Sequence, residues 1–450
     1  MKRLLLTLLV LPSLQAADAV DEALQGKLSQ RITWVKSARE SEQIELKVRS
    51  LLEARLTPDS AAQIALLNNS ALQGKFEALG ISQSEIAAAG LLKNPSFSAQ
   101  TRWADRDAKN ANVELSYSQD IADLFLIPLR KKLATLAYNG AQLALADDVL
   151  KLVAETKTAF YDLQATMQIL AQEELVVQSN EAAADFAKKL RHAGNITVLR
   201  LVQQQAMLSK SRLEVAKIRA EISRQREVLN RLLGLWGTAT DWKIAAQLPS
   251  MPKRETALQN VEAMAVSRRT DLEIGRAQLT LAATSLGIQG KTRMFPSSIR
   301  LGVNYERDID GTQMAGPSLE VELPIFNNGL PELARRRAEF KQAQWQLEGR
   351  AIDVRSEARE ARDGLIAARD LAEFYRDELL PQQQEIMKAT QLEFNGMLIG
   401  FYELIRAKQD ELEAQRGTVE ALRDYWISRT KLESALGGSL DVLTTDHSKD

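Results

Sequence analysis

Four short segments of the chain alternate apolar and polar residues with a period of two, and the long stretches around them repeat apolar residues at steps of three and four. After Pro95, Phe97, Ala99, Thr101 and Trp103 share one side of an extended chain, while Ser96, Ser98, Gln100 and Arg102 share the other. The next segment opposes Val113, Leu115 and Tyr117 to Asn112, Glu114, Ser116 and Ser118. A third opposes Ile299, Leu301, Val303 and Tyr305 to Arg300, Gly302, Asn304 and Glu306, and a fourth opposes Leu319, Val321 and Leu323 to Ser318, Glu320 and Glu322. This period predicts strands over 96–104, 112–120, 297–306 and 317–325. Polar connections at 104–111 and 307–316 join them into two hairpins.

The stretches that follow each hairpin predict long helices over 128–192 and 198–233, then over 331–394 and 401–436. Val149, Val153, Thr156, Phe160, Leu163, Met167 and Leu170 form a heptad seam, as do Val354, Ala358, Ala361, Leu365, Ala368, Ala372, Tyr375 and Leu379. About sixty residues at about 1.5 Å each make a helix of about 90 Å. Pro381 interrupts the second and is expected to kink it. A shorter helix precedes each hairpin. The first starts with Thr57 as N-cap and Pro58 as first residue and runs to about 92; its counterpart spans about 255–292.

The same order therefore occurs twice. Ala65 and Leu72 correspond to Ala265 and Leu272, Pro95 to Pro296, Gly194 to Gly396, and Gly234 to Gly437. The expected organisation is an N-terminal helical segment (20–55), a first repeat (56–247), a proline-containing linker (248–254), a second repeat (255–438) and a polar tail (439–450). The fold class is mainly α with a small β part, built from duplicated coiled-coil hairpins and four strands.

Composition narrows the function. Basic and acidic residues nearly cancel, 58 against 59, which gives no footprint for nucleic acid. Residues 1–19 read as a cleaved signal peptide: Lys2 and Arg3 precede the apolar run 4–14, and Ala16, Ala17 and Ala19 follow. There is no cysteine, so neither a disulfide nor a lipid-bearing cysteine is expected. No later segment is apolar enough for a transmembrane helix, so a membrane location would require a closed β-barrel.

Strands of eight to ten residues suit a hydrocarbon layer of about 25 Å. In that setting Phe97, Ala99, Trp103, Val113, Leu115, Tyr117, Ile299, Leu301, Val303, Tyr305, Leu319, Val321 and Leu323 face lipid. Gln100, Arg102, Glu114, Arg300, Asn304, Glu320 and Glu322 then face the lumen. Trp103, Tyr117 and Tyr305 suit an interfacial aromatic belt. Four strands cannot close, since about eight is the smallest barrel, so several copies must pool their hairpins. The alternative is a soluble four-stranded sheet with one face on a core.

Together, the segment 56–69, Asn94-Pro95, Leu323-Pro324-Ile325-Phe326-Asn327-Asn328-Gly329 and the turns at Gly194 and Gly396 resemble the outer-membrane efflux protein (TolC) family over about residues 56–438. The resemblance implies a homotrimer with a 12-stranded barrel and an α-helical periplasmic tunnel. It implies an exit duct for a tripartite efflux pump or type I secretion system, partnered by a periplasmic adaptor and an inner-membrane transporter. It places the periplasmic tip, read by the adaptor, at Gly194, Asn195, Ile196 and Thr197 and at Asn395, Gly396, Met397 and Leu398. Some members carry acidic rings there; these breaks hold no Asp or Glu. Residues 394–404 resemble the version found in heavy-metal, especially copper, resistance branches.

Chemistry has little material. His192 and His447 are the only histidines and have no ligand set at metal spacing. Arg335-Arg336-Arg337 reads as a solvated helix face. No cofactor and no enzymatic activity are expected. The rival to the duct is a soluble periplasmic coiled-coil scaffold or adaptor.

Overall fold

A computed structural model describes residues 20–440, except 29, 104–110, 254, 256 and 257. The signal peptide, most of the first hairpin connection and residues 441–450 lie outside the described residues. In chain order the elements are α1 (Ala38–Glu53), α2 (Pro58–Asn68), α3 (Ser70–Ala89), β1 (Ser96–Arg102), β2 (Asn112–Asp120), α4 (Ala122–His192) and α5 (Val198–Leu233). Then come α6 (Val261–Arg268), α7 (Thr270–Thr292), β3 (Ile299–Arg307), β4 (Gln313–Val321), α8 (Leu330–Phe374), a π-turn (Tyr375–Leu379), α9 (Leu380–Asn395) and α10 (Phe401–Leu436).

The chain divides into two compact units. One contains residues 76–145 and 270–352, with the sheet; the other contains the described residues of 20–75, 146–269 and 353–440, with the main core. The sheet is antiparallel with the order β1-β2-β3-β4. Its central pair joins the second strand of the first hairpin to the first strand of the second.

In the other unit, the first seam is buried at Val149, Val153, Thr156, Phe160 and Leu163, and the second at Val354, Ala358, Leu365 and Ala372. The main core gathers Ile64, Ala65, Phe160, Leu163, Leu229, Leu233 and Trp242. The segment expected as a linker is fastened to the helices of this unit. Arg369 Nη2 donates to the carbonyls of Pro252 (3.1 Å) and Lys253 (3.2 Å), and Trp426 Nε1 donates to that of Pro249 (2.8 Å).

Several boundaries differ from the sequence expectation, each for a local physical reason. The helix expected over 58–92 breaks at Asn69, and its counterpart starts only at Val261 and breaks at Arg269. Both break residues take extended dihedrals because the C-terminus of a later long helix packs against them. Asn68 Nδ2 donates to the carbonyls of Leu233 (2.9 Å) and Gly234 (2.7 Å), and Asn69 Nδ2 donates to that of Leu232 (2.9 Å). These bonds satisfy the orphan carbonyls at the end of α5. In the second half, Gly437 lies against Arg268 in the corresponding place; a Cβ there would stand 2.9 Å from the Arg268 carbonyl oxygen.

The helix expected from 128 starts at Ala122 and carries Pro128 inside it. Asp120 Oδ1 accepts from the Ala122 amide at 3.0 Å and so anchors the earlier start. The strand expected over 317–325 is instead Gln313–Val321. The turn before it is tight: Gly311 has φ 88° and Asp310 Oδ1 accepts from the Thr312 amide at 2.8 Å. Pro317 is tolerated because β4 is an edge strand. Pro381 coincides with a π-turn, in which the Leu380 amide donates to the Tyr375 carbonyl five residues back.

Two glycines, one in each unit, give opposite predictions. Gly234 has φ 67°, and a Cβ on it would run into the Asn68 carbonyl oxygen. Gly234→Ala is expected to cost about 3 kcal/mol, combining a left-handed penalty with a backbone clash. Gly140, inside α4 with open space around it, should instead gain up to about 1 kcal/mol from the same change. Thermal unfolding of the two variants should shift in opposite directions.

Tyr425 is fully buried and its hydroxyl donates to Glu255, which Arg369 Nη1 also reaches at 3.3 Å. Burial first, and then the Glu255 carboxylate, push the Tyr425 hydroxyl above its ordinary value of 10.0. Because the folded value is raised, this stabilisation is fully present below about pH 10 and is lost as pH rises further. Tyr425→Phe is expected to cost about 2 kcal/mol at neutral pH. In melts from pH 7 upward, the gap between wild type and variant should stay constant to about pH 10 and then close.

Candidate functional site: sheet faces and helical turns

The sheet register sorts the strand residues into two sets. Phe97 lies opposite Tyr117, which lies opposite Val303, and Val303 faces Pro317. Ala99, Leu115, Tyr305 and Ala315 form the next row, and Leu301 pairs with Leu319, as Ile299 does with Val321. Gln119 and Arg307 interrupt this apolar face near its ends. Trp103 and Leu323, expected as strand positions, lie just past β1 and β4.

The opposite face is a polar ladder. Arg102 pairs with Glu114 at 2.9 Å and Arg300 with Glu320 at 2.9 Å. Asn112 Nδ2 donates to Glu306 at 2.9 Å, and hydroxyls meet across strands at Ser96–Ser118 (2.8 Å) and Ser98–Ser116 (2.7 Å). Gln100 accepts from Arg102, and Asn304 lies within 3.5 Å of the Ser318 hydroxyl. Glu322 lies just past β4, its amide donating to the Ser298 carbonyl at 3.0 Å.

Among the described residues, the apolar face has no core beneath it. Phe97 is 69% exposed, Val303 57% and Leu319 67%, and the main core contains no strand residue. A soluble antiparallel sheet buries that face. Among the described residues no helix is long and apolar enough to cross a membrane.

The two helical turns come together in the other unit. At the first, Gly194 has φ 78°, the Asn195 amide donates to the Leu190 carbonyl (2.8 Å), and Arg191 Nη1 donates to that of Ile196 (3.1 Å). Thr197 caps α5 by accepting from the Arg200 amide. The second turn follows Asn395. Gly396 is not its left-handed residue; Met397 is, with φ 61°. The Leu398 amide donates to the Glu393 carbonyl (2.9 Å), and Glu403 accepts from the Gly400 amide at 2.6 Å. The nearest acidic side chain after the second turn is thus engaged as a helix cap.

Phe186 and Phe401 join the turns, with ring centroids 4.2 Å apart, and Phe394 lies 6.2 Å from Phe401. They line an open groove of about 620 Å³ with Leu190, Met397 and Tyr402. Met397 and Leu398 are 93% and 78% exposed. The aromatic clasp was not foreseen from sequence. Its only signal was the placement of Phe186, Phe394 and Phe401 within about two turns of the two breaks.

Among the described residues, no group of three or more His, Cys, Asp or Glu could hold a metal ion. His192 is exposed at the end of α4.

In its fold, mainly helical with one four-stranded sheet, the chain is similar to solved outer-membrane channels. Solved structures of that kind match most of the chain. The Campylobacter jejuni CmeC outer membrane channel matches with a TM-score of 0.71 at 15% identity, over 95% of each chain. CusC, whose structures concern folding and transmembrane channel formation, gives 0.68 at 17% identity over 85% of this chain and 92% of its own. The open state of the Neisseria gonorrhoeae MtrE outer membrane channel gives 0.68 at 17%, over 85% and 89%. In sequence, the chain is 21% identical over 300 residues to the probable outer membrane lipoprotein SilC of Salmonella typhimurium, covering 64% of this chain and 63% of SilC. The match thus spans less than two thirds of that relative's length. No family model matches the chain.

Proposed function

We propose that three copies of this chain pool their hairpins into a 12-stranded barrel in the outer membrane, forming the passive exit duct of a tripartite efflux system. The observation that carries this reading is the sheet itself. Its apolar face is exposed, its other face is charged, and β1 and β4 each leave one edge unpaired. Lipid supplies the missing cover for the first face, a water-filled lumen suits the second, and neighbouring copies pair the edges. Phe97, Val303 and Leu319 then face lipid, and Arg102, Glu114 and Arg300 face the lumen.

The recurrence of the helix break and glycine contact in both halves, Asn68 with Gly234 and Arg268 with Gly437, supports an internal duplication. The aromatic turns, with exposed Met397 and Leu398, are the surface offered to a periplasmic adaptor, which links the duct to an inner-membrane transporter. The duct performs no reaction. Export by a signal peptide over residues 1–19 belongs to the same reading. SilC is described as a lipoprotein, whereas these 450 residues contain no cysteine to carry a thioether-linked lipid. The resemblance of residues 394–404 to heavy-metal branches makes copper the first cargo to test.

Cell fractionation tests this directly. The chain should be recovered in the outer-membrane fraction and, after detergent extraction, image as threefold rings. Loss of the gene should raise copper or drug sensitivity. A monomer released in the periplasmic wash would sink the proposal and favour a soluble scaffold.

A further inference from the structure

At one end of the sheet, marked by Ser96, Asp120, Ile299 and Val321, all four strands meet helix-bearing segments. Every one of these junctions exposes apolar side chains. Leu91 before β1 is 67% exposed, Phe125 after β2 is 62%, Met294 before β3 is 58%, and Phe326 after β4 is completely exposed. The Phe125 and Phe295 rings meet edge-on at 5.8 Å, which ties the second junction to the third.

Cations follow along α4 and α8, the two helices that leave the second and fourth junctions. In the run Arg130-Lys131-Lys132 of α4, Arg130 is held by Asp123 at 3.0 Å. In Arg335-Arg336-Arg337 of α8, the first two are held by Glu332 and Glu339. Lys131, Lys132 and Arg337 are exposed and make no ion pair among the described residues. Lys131 lies against Gly90, next to Leu91, so charge and apolar surface share one level there.

An apolar rim continuous with a lipid-type sheet face, followed by unpaired positive charge, is the order met on crossing from acyl chains to phosphates. We infer that this junction belt seats on anionic phospholipid headgroups of the leaflet at the helical end of the sheet. Phe125 and Phe326 sit at the acyl boundary, and Lys131, Lys132 and Arg337 bind lipid phosphates. The inference rests on the reading of the sheet as membrane-spanning.

The test titrates the detergent-solubilised full chain with short-chain phosphatidylglycerol, phosphatidylcholine and inorganic phosphate. Phosphatidylglycerol should bind preferentially. The combined variant Lys131→Gln, Lys132→Gln, Arg337→Gln should bind it roughly tenfold to a hundredfold more weakly, and the exchange Lys131→Arg, Lys132→Arg, Arg337→Lys should restore it. Because the chain has no cysteine, Phe326→Cys accepts one fluorophore, which nitroxide lipids in phosphatidylglycerol-containing vesicles should quench more than aqueous iodide does. Equal binding of the two lipids, or an unchanged glutamine variant, overturns the inference while the duct stands. Competition by inorganic phosphate as strong as by lipid marks a soluble anion site and also overturns it. A chain that inserts into neither phosphatidylcholine nor phosphatidylglycerol vesicles sinks the membrane reading itself.

Discussion

Val303→Arg is expected to remove the protein from the outer-membrane fraction. Val303 is the middle residue of β3, lies between Tyr117 and Pro317 in the register, and is 57% exposed in the single chain. An arginine on the lipid face near the bilayer midplane costs about 2–4 kcal/mol. A threefold assembly incurs that cost three times, roughly 6–12 kcal/mol per barrel, enough to prevent insertion. Asn304→Arg, one residue along, provides the control. It lies on the face of Ser116 and Gly316, so it should insert normally and change the ion selectivity of the pore in planar bilayers. Immunoblots of membrane fractions from the two strains decide the matter. Normal insertion of the Val303 variant, or exclusion of the Asn304 variant, would reverse the assignment of the faces.

Trp242→Ala is expected to have the largest effect on the main core, about 6 kcal/mol. Trp242 is 1% exposed, donates through Nε1 to Asn230 Oδ1 at 2.8 Å, and carries the Arg226 guanidinium 4.2 Å above its ring. Loss of a buried tryptophan costs about 3–5 kcal/mol, and the stranded Asn230 adds about 1–3. Trp242→Phe keeps most of the volume but loses the N–H and part of the ring, so it should cost about 2 kcal/mol. Melting curves of the extracted protein should rank wild type, phenylalanine and alanine in that order. An alanine variant as stable as the phenylalanine one would show that the hydrogen bond, not the packing, holds this segment.

Trp242 also marks what pattern reading cannot see. It sits in an irregular segment between α5 and the linker, with no periodicity around it. Its burial depends on α2, α4 and α5 meeting there, including the bridge between Leu56 and Ile244. The breaks at Asn69 and Arg269 belong to the same class. Their local sequences are compatible with a continuous helix, and only the approach of Gly234 and Gly437 turns the backbone out of it. The left-handed residue of the second turn was equally hidden: Gly396 is the obvious candidate, yet the geometry falls on Met397.

The strand faces were legible because side-chain direction alternates strictly along an extended chain, so residues 97, 99 and 117 can be grouped before any partner is known. The seams were legible for the same reason at helical spacing: Val149, Val153, Thr156, Phe160 and Leu163 are buried, as are Val354, Ala358, Leu365 and Ala372, while Ala361 and Ala368 are half-buried. By itself, then, the sequence determined the element types and the two-sidedness of the sheet, both properties of a few consecutive residues. The tertiary structure alone decided that the apolar face lies over no core among the described residues, that Phe186 and Phe401 clasp the two turns, and that Phe125 and Phe295 meet across two strand junctions. Each of these depends on residues far apart in the chain, whose proximity no local period encodes.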